Sequence, residues 1–293
     1  MLVSVVIRTL NEAKHLPALL GAIAQQDLAG HGCEVVLVDS GSTDGTLQIA
    51  EQHGCRIVHI RKEEFSFGRS LNLGCLAAKG EALVFVSGHC IPVDKHWIAR
   101  LVAPLGQDRV VYSYGGQVGD ISTHFSERQI FAKYFPGQSK VPQDGFYCNN
   151  ANSALLRSEW EQARFDEDIT GLEDMFLAKQ LVARGSRLAY VADAKVYHLH
   201  DESWRQVKRR FEREAIALQR IMPEVHLGPF DVVRYAASAI LLDCGVALQE
   251  RGLVKHFAGI VTYRACQFWG AFKGNHVHRR LSRAAKERYY FPR

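Results

Sequence analysis

The sequence predicts an α/β fold, a mostly parallel sheet flanked by helices, followed by a helical, basic C-terminal region. Three observations predict it. Short apolar runs rich in β-branched residues alternate with stretches of helical period through the first half of the chain. Polar turns follow those runs, at the carboxyl ends of the strands, where open α/β sheets bind ligands. Strand signals stop near Asp201, and helical segments take over.

Residues 3–7, 34–38, 56–60 and 82–86 read as strands, and 12–26, 43–52 and 68–78 as the helices between them. That alternation requires crossover connections, hence parallel strands covered on both faces. Residues 188–191 and 195–198 read as a closing pair of strands. Ser203 begins an amphipathic helix that ends before Pro223. Two further apolar-periodic segments lead to a basic end, 273–293, bearing Tyr289, Tyr290 and Phe291. The expected domains are 1–200 and 201–293.

Composition narrows the class. With 293 residues, 47% hydrophobic and 23% charged, the chain is close to a globular average, which excludes disorder, collagen-like repeats and a heptad rod. Its seven cysteines are odd in number and lack a CxxC pair, against a disulfide framework or zinc module and for a reducing compartment. The opening residues read as a core strand and not a signal peptide. The most apolar stretch, 230–248, is interrupted by Asp231, Arg234 and Asp243, so no membrane span is expected. Charge is uneven: 1–200 carry 19 Lys+Arg against 22 Asp+Glu, and 201–293 carry 17 against 9. A basic helical region fits an anionic membrane surface. Nucleic acid is not an expected partner, because no helix-turn-helix, aromatic-glycine RNA signature or zinc pattern accompanies the charge. The expected location is cytoplasmic, peripheral on the inner membrane face.

Two polar turns stand at neighbouring strand ends, Arg8-Thr9-Leu10-Asn11-Glu12 and Asp39-Ser40-Gly41-Ser42-Thr43-Asp44-Gly45-Thr46. The Asp39 carboxylate suits a base or ribose donor. Ser42 or Thr43 can cap the next helix while backbone amides face a ligand. No GxGxxG follows the first strand and no GxxxxGK(S/T) occurs, which disfavours dinucleotide oxidoreductases and P-loop phosphotransferases.

Those turns, with Ala77-Ala78-Lys79-Gly80-Glu81 leading into a strand, resemble family 2 glycosyltransferases over roughly residues 1–200. Phe65 to Gly74 resembles a stretch of the rhamnosyltransferase-like members. The resemblance implies the GT-A fold, a Rossmann-like sheet, and inverting transfer from a nucleotide-diphosphate sugar. It implies that Thr9, Asn11, Glu12, Asp39 and Ser42 hold the nucleoside, and that Arg69 contacts the nucleotide or its phosphates. The family's Asp-x-Asp metal motif should follow the fourth strand, where this chain has Ser87-Gly88-His89. Ser87 and His89 stand where both carboxylates are usual; Ser87 cannot replace the charge of an aspartate and is expected at the nucleotide. His89 keeps a ligating side chain that favours manganese over magnesium, with His198 as its expected partner. A metal-independent enzyme that counters the diphosphate with arginines is the alternative.

The resemblance also makes Asp174, beside Glu173, the general base that inversion requires opposite the leaving group. Asn150 and Asn152 are expected near the acceptor, and His200, Arg209 and Arg210 near acceptor or diphosphate. The implied activity moves sugar from a UDP- or dTDP-linked donor to a glycan or lipid-linked glycan in cell-envelope polysaccharide assembly. The rival readings are a non-catalytic nucleotide-sugar-binding or membrane-adaptor protein with a decayed metal site, and a sugar-phosphate nucleotidyltransferase. The latter lacks its glycine-rich basic loop after the first strand.

Overall fold

Period-two burial along the first strands divides the core between two faces. Val3, Val5 and Ile7 pack into one apolar cluster with Leu37, Val84 and Trp97, while Val6 joins Val36, Val38, Leu83 and Phe85 in the other. Residues 1–290 are described in this computed structural model, with side chains described through residue 276. The side chains of the basic, aromatic-bearing end beyond that residue therefore lie outside the described residues.

The chain divides into two units. The first comprises Met1–Thr123, Ile130–Ile169 and Glu173–His200; the second comprises His124–Gln129, Thr170–Leu172 and Asp201–Arg293. A single cut near residue 200 does not include the two short earlier segments.

In the first unit, β1 (Leu2–Thr9), β2 (Gly32–Asp39), β3 (Arg56–His59) and β4 (Ala82–Ser87) lie in the order β3-β2-β1-β4, all parallel. Helices α1 (Leu16–Ala24), α2 (Thr46–Gln52) and α3 (Phe67–Ala77) form between them. Next come β5 (Cys90–Pro92), α4 (Trp97–Val102), β6 (Val110–Val118), α5 (Phe125–Tyr134), β7 (Lys140–Gln143), β8 (Asn152–Leu156), α6 (Arg157–Gln162), α7 (Glu173–Ala183) and β9 (Arg187–His198). The sheet continues β4-β8-β6-β9-β5. It is antiparallel at β8 on both sides, parallel between β6 and β9, and antiparallel where β5 and β7 join β9. The expected α/β class holds. The expected closing pair of strands is one strand, β9, which pairs with β7 near Tyr190 and with β5 near His198. That register sets Cys90 opposite His198, so the two histidine-bearing segments run side by side.

The second unit is helical: α8 (Trp204–Ile221), α9 (Pro229–Gln249) and α10 (Leu253–Tyr290). Ser203 caps α8, its N–H donating to Gln206 Oε1 at 2.8 Å. Asp231 and Asp243, which interrupt the apolar run, both have partners. Asp231 accepts from the Gly228 N–H, and Asp243 takes a two-pronged bond from Arg264 Nε and Nη2, each 2.8 Å. Among the described residues, no helix is long and apolar enough to cross a membrane.

Candidate active site

The β1 and β2 ends lock into one platform. Asp39 is buried and turns its carboxylate onto its own turn: Gly41 and Ser42 N–H donate to Oδ2 at 2.8 and 3.0 Å, and the Ser42 and Thr9 hydroxyls donate to Oδ1. Asn11, at φ 58, bridges the turns, donating its N–H to Ser42 Oγ and accepting from the Thr43 N–H, both at 2.8 Å. Asparagine tolerates this left-handed backbone better than most side chains. Glu12 follows and donates its N–H to Thr46 Oγ1 at 2.9 Å.

Glu12 leads to a histidine cluster. Its Oε1 lies 2.9 Å from His89 Nδ1, the geometry of a carboxylate accepting from the ring N–H and fixing the orientation of the imidazole. His89 stacks on His198 with centroids 5.2 Å apart, and His198 lies 4.0 Å from His200. One ring nitrogen from each of the three comes within 4.8 Å of the others. The His198 tautomer follows from a relay. The Ala151 N–H identifies Asn149 Oδ1, which accepts Gln117 Nε2 at 3.0 Å; Gln117 Oε1 therefore faces His198 Nδ1 at 2.7 Å. Nδ1 carries the proton, and Nε2 carries the lone pair. Three imidazole nitrogens suit a divalent transition metal better than Mg2+, which takes oxygen ligands. His200, expected near acceptor or diphosphate, joins the two histidines expected to bind metal.

The same asparagine turn reaches the carboxylate pair. The Asn150 N–H donates to Asp174 Oδ2 at 2.7 Å, and the Met175 N–H donates to Oδ1 at 2.7 Å. Burial, reinforced by the charge of Glu173, pushes Asp174 up to about 7, although those two amides and Arg8 pull it down. Arg8 Nη1 reaches Glu173 Oε1 at 3.1 Å, while its guanidinium lies 5.0 Å from the Phe67 ring centroid. Asn150 Oδ1 accepts the Tyr112 and Ser153 hydroxyls, but its Nδ2 is buried without a hydrogen-bond partner among the described residues. An unsatisfied buried donor costs about 1–3 kcal/mol.

Other expected site residues fall elsewhere. Ser87 ends β4, paired in register with Arg8. Arg69 sits in the first turn of α3, half-exposed and 4.0 Å from Glu64 Oε1. The expectation for Asn152 is corrected: it is fully buried, with Oδ1 taken by Trp97 Nε1 and Nδ2 by the Gly116 and Ala194 carbonyls, so no polar atom remains for an acceptor. Arg210 is already engaged: its guanidinium is held by Glu127 at 2.6 Å and Glu202 at 2.7 Å, so its charge is compensated by two carboxylates. Arg209 is exposed and lines a cavity of about 430 Å³ with Glu202, Gln206, Arg210 and Arg213.

Sequence reasoning missed Arg8 and Gln117. Arg8 had a signal, a cation closing the apolar run of β1. Gln117 had none.

Comparison with known proteins shows the family and the fold. Residues 4–164 match the model of Glycosyl transferase family 2. The chain is similar to the O-antigen chain rhamnosyltransferase RfbN of Salmonella typhimurium, 26% identical over 224 residues that cover 72% of this chain and 70% of that protein. It is also 26% identical over 191 residues to O-antigen chain rhamnosyltransferase WbaN of Salmonella anatum, covering 61% of this chain and 60% of that one. Among solved structures, the mannosyltransferase PcManGT from Pyrobaculum calidifontis in complex with GDP-Man and Mn2+ matches with a TM-score of 0.64 at 18% identity, over 93% of this chain and 86% of that one. Residues 1–349 of S. aureus TarS in complex with UDP-GlcNAc match with a TM-score of 0.52 at 17% identity, over 96% and 92%. At such identities the solved structures establish the shared GT-A fold.

Proposed function

The chain belongs to glycosyl transferase family 2, and from that premise we propose an inverting transfer of a sugar from a UDP- or dTDP-linked donor to a glycan or lipid-linked glycan. The setting is cell-envelope polysaccharide assembly at the inner face of a membrane. One observation carries the reading: a single turn, Asn149–Ala151, supports both the buried carboxylate Asp174 and the relay that orients His198.

Asp174 removes the proton from an acceptor hydroxyl as its oxygen bonds to the anomeric carbon. The sugar–phosphate bond breaks on the opposite face, and the nucleoside diphosphate leaves with the electron pair. A base near 7 is substantially ionised at neutral pH yet basic enough to take that proton. Arg8 keeps the Glu173 charge compensated beside it. Asn150 Nδ2 offers its unmatched donor to a sugar hydroxyl. The platform of Thr9, Asn11, Asp39 and Ser42 takes the nucleoside, with Asp39 exchanging the Ser42 hydroxyl for a base or ribose donor. Arg69 and Ser87 lie toward the phosphates. A divalent cation held by His89, His198 and His200 would supply positive charge against the departing diphosphate. Glu12 and Gln117 fix two of those imidazoles.

A thermal-shift panel of nucleoside diphosphates and nucleotide sugars, with and without Mn2+, tests the reading. A ligand at a hundredfold its dissociation constant adds about 2.7 kcal/mol. Stabilisation by UDP or dTDP and not by NAD or ATP supports it; no shift with any nucleoside diphosphate overturns it.

A further inference from the structure

Helix α9 turns an apolar stripe to solvent. Phe230, Val233, Ala237, Leu241 and Leu248 recur at helical spacing on one face, and all are exposed, Phe230 by 77% and Leu241 by 72%. From Phe230 to Leu248 the stripe runs about 27 Å at 1.5 Å per residue. No exposed charge interrupts it between residues 235 and 249, because Asp243 faces inward onto Arg264. Helix α10 begins the same way, with Val254 98% and Phe257 52% exposed, and carries Trp269 half-exposed against Phe272. Apolar surface of this extent is unfavourable in water and marks a docking face.

Charge decides what docks there. Between residues 229 and 257, exposed Arg234 lies near one end of the stripe and exposed Arg251 and Lys255 lie just past the other, against one exposed acid, Glu250, and the half-buried Asp231. The sequence from residue 201 onward carries 17 cations against 9 acids. A second copy would bring like charges together, whereas anionic headgroups neutralise them.

We propose that the exposed face of α9, continued by the start of α10, lies in the interface of an anionic lipid bilayer, parallel to its plane, and docks the enzyme there. Cations flanking an apolar helical stripe suit this mode, with apolar side chains below the headgroups and Arg234 extending to them. The inference gives a surface to the lipid-linked acceptor proposed above, and rests on that reading only for its purpose, since docking needs no transfer.

Flotation of the full chain with phosphatidylglycerol/phosphatidylethanolamine vesicles, and with phosphatidylcholine vesicles, tests it. The wild-type chain is expected to float with the anionic vesicles and to bind the neutral ones at least about tenfold more weakly. The double variant Phe230→Glu, Leu241→Glu alters two solvent-facing positions, so thermal melting and the nucleotide-dependent shift should be retained while anionic binding falls by about a hundredfold or more. Wild-type protein that fails to float, or a variant that floats equally well, overturns the proposal. So does a wild-type dimer in sedimentation that the variant dissolves without either form binding vesicles, which would assign the face to a second copy. If vesicle binding behaves as expected but no nucleotide stabilises the chain, the docking face stands and the proposed donor falls.

Discussion

Asn150 donates its backbone N–H to Asp174 Oδ2 at 2.7 Å, while the side chain of its neighbour Asn149 fixes the Gln117 amide that orients His198. Two consecutive residues thus set the position of the carboxylate and the tautomer of the imidazole. A shift of this turn moves both together, which suits a reaction in which proton removal and leaving-group departure occur on opposite faces of one carbon.

Asp174→Asn keeps the shape and removes the proposed base. Sugar transfer should fall by about 10²–10⁴-fold, while the dissociation constant for the nucleotide stays within a few-fold of wild type. Initial rates with labelled donor, alongside calorimetric titration of the nucleotide, check this; equal losses in both would make Asp174 a structural residue.

The raised Asp174 pKa fixes a sign for pH dependence. Transfer should rise with pH through about 7, as the carboxylate ionises. Stability runs the other way. The folded state holds this proton more tightly than the unfolded chain, so the group's contribution is complete below its unfolded pKa of 3.8 and is lost as pH rises through about 7. The drop in Tm between about pH 5 and about pH 8 should therefore shrink in Asp174→Asn. Arg8→Gln removes a cation that lowers Asp174, so the upper apparent pKa of the Glu173–Asp174 pair should rise and the rate profile shift to higher pH.

Gln117→Ala leaves every imidazole in place but frees His198 to take either tautomer. Affinity for Mn2+, read by the metal-dependent Tm shift or by the spin-resonance signal of free Mn2+, should weaken by about 10- to 100-fold. His198→Ala should abolish the shift, and EDTA should remove any metal-dependent gain in nucleotide affinity. A Gln117→Ala protein that melts lower but binds Mn2+ as tightly would reduce the glutamine to packing.

What the sequence revealed was local. The Asp39–Thr46 turn was legible because its own Gly41, Ser42 and Thr46 bond to Asp39 and Asp44 within three residues, although Asn11 and Thr9 bridge to it from the β1 end, and β1 to β4 were legible because each pairs in parallel through a crossover helix. Long-range partners were not. Gln117 acts on a histidine 81 positions away. Its strand, β6, carries Gly115 and Gly116, which erase the alternation; a Cβ at Gly115 would sit 2.0 Å from the Ala194 carbonyl oxygen. Arg210 reads as part of a basic helix until Glu127, 83 positions earlier, is found against it. Asn152 was expected near the acceptor and is instead a buried clamp on Trp97.

Phe65 to Gly74 resembled a stretch of rhamnosyltransferase-like members, with Arg69 expected at the nucleotide, yet much of it is scaffold, and this can be tested at Gly68. Asn72 in α3 satisfies its whole amide on the 160–167 segment, donating to the Phe165 carbonyl and Glu167 Oε1 and accepting from Phe165 N–H and Trp160 Nε1. One turn earlier, a Cβ at Gly68 would meet the Asp166 carbonyl oxygen at 2.0 Å, a contact with backbone that no rotamer relieves. Gly68→Ala must therefore push this segment off the helix, at a cost of about 3 kcal/mol or more. Gly21→Ala supplies the contrast: it lies within α1 with nothing within 4 Å of the added carbon, and should stabilise by about 0.5–1 kcal/mol. Urea unfolding of the two variants should give midpoints on opposite sides of wild type. A Gly68→Ala midpoint unchanged from wild type would mean that α3 does not hold the segment leading to Glu173 and Asp174.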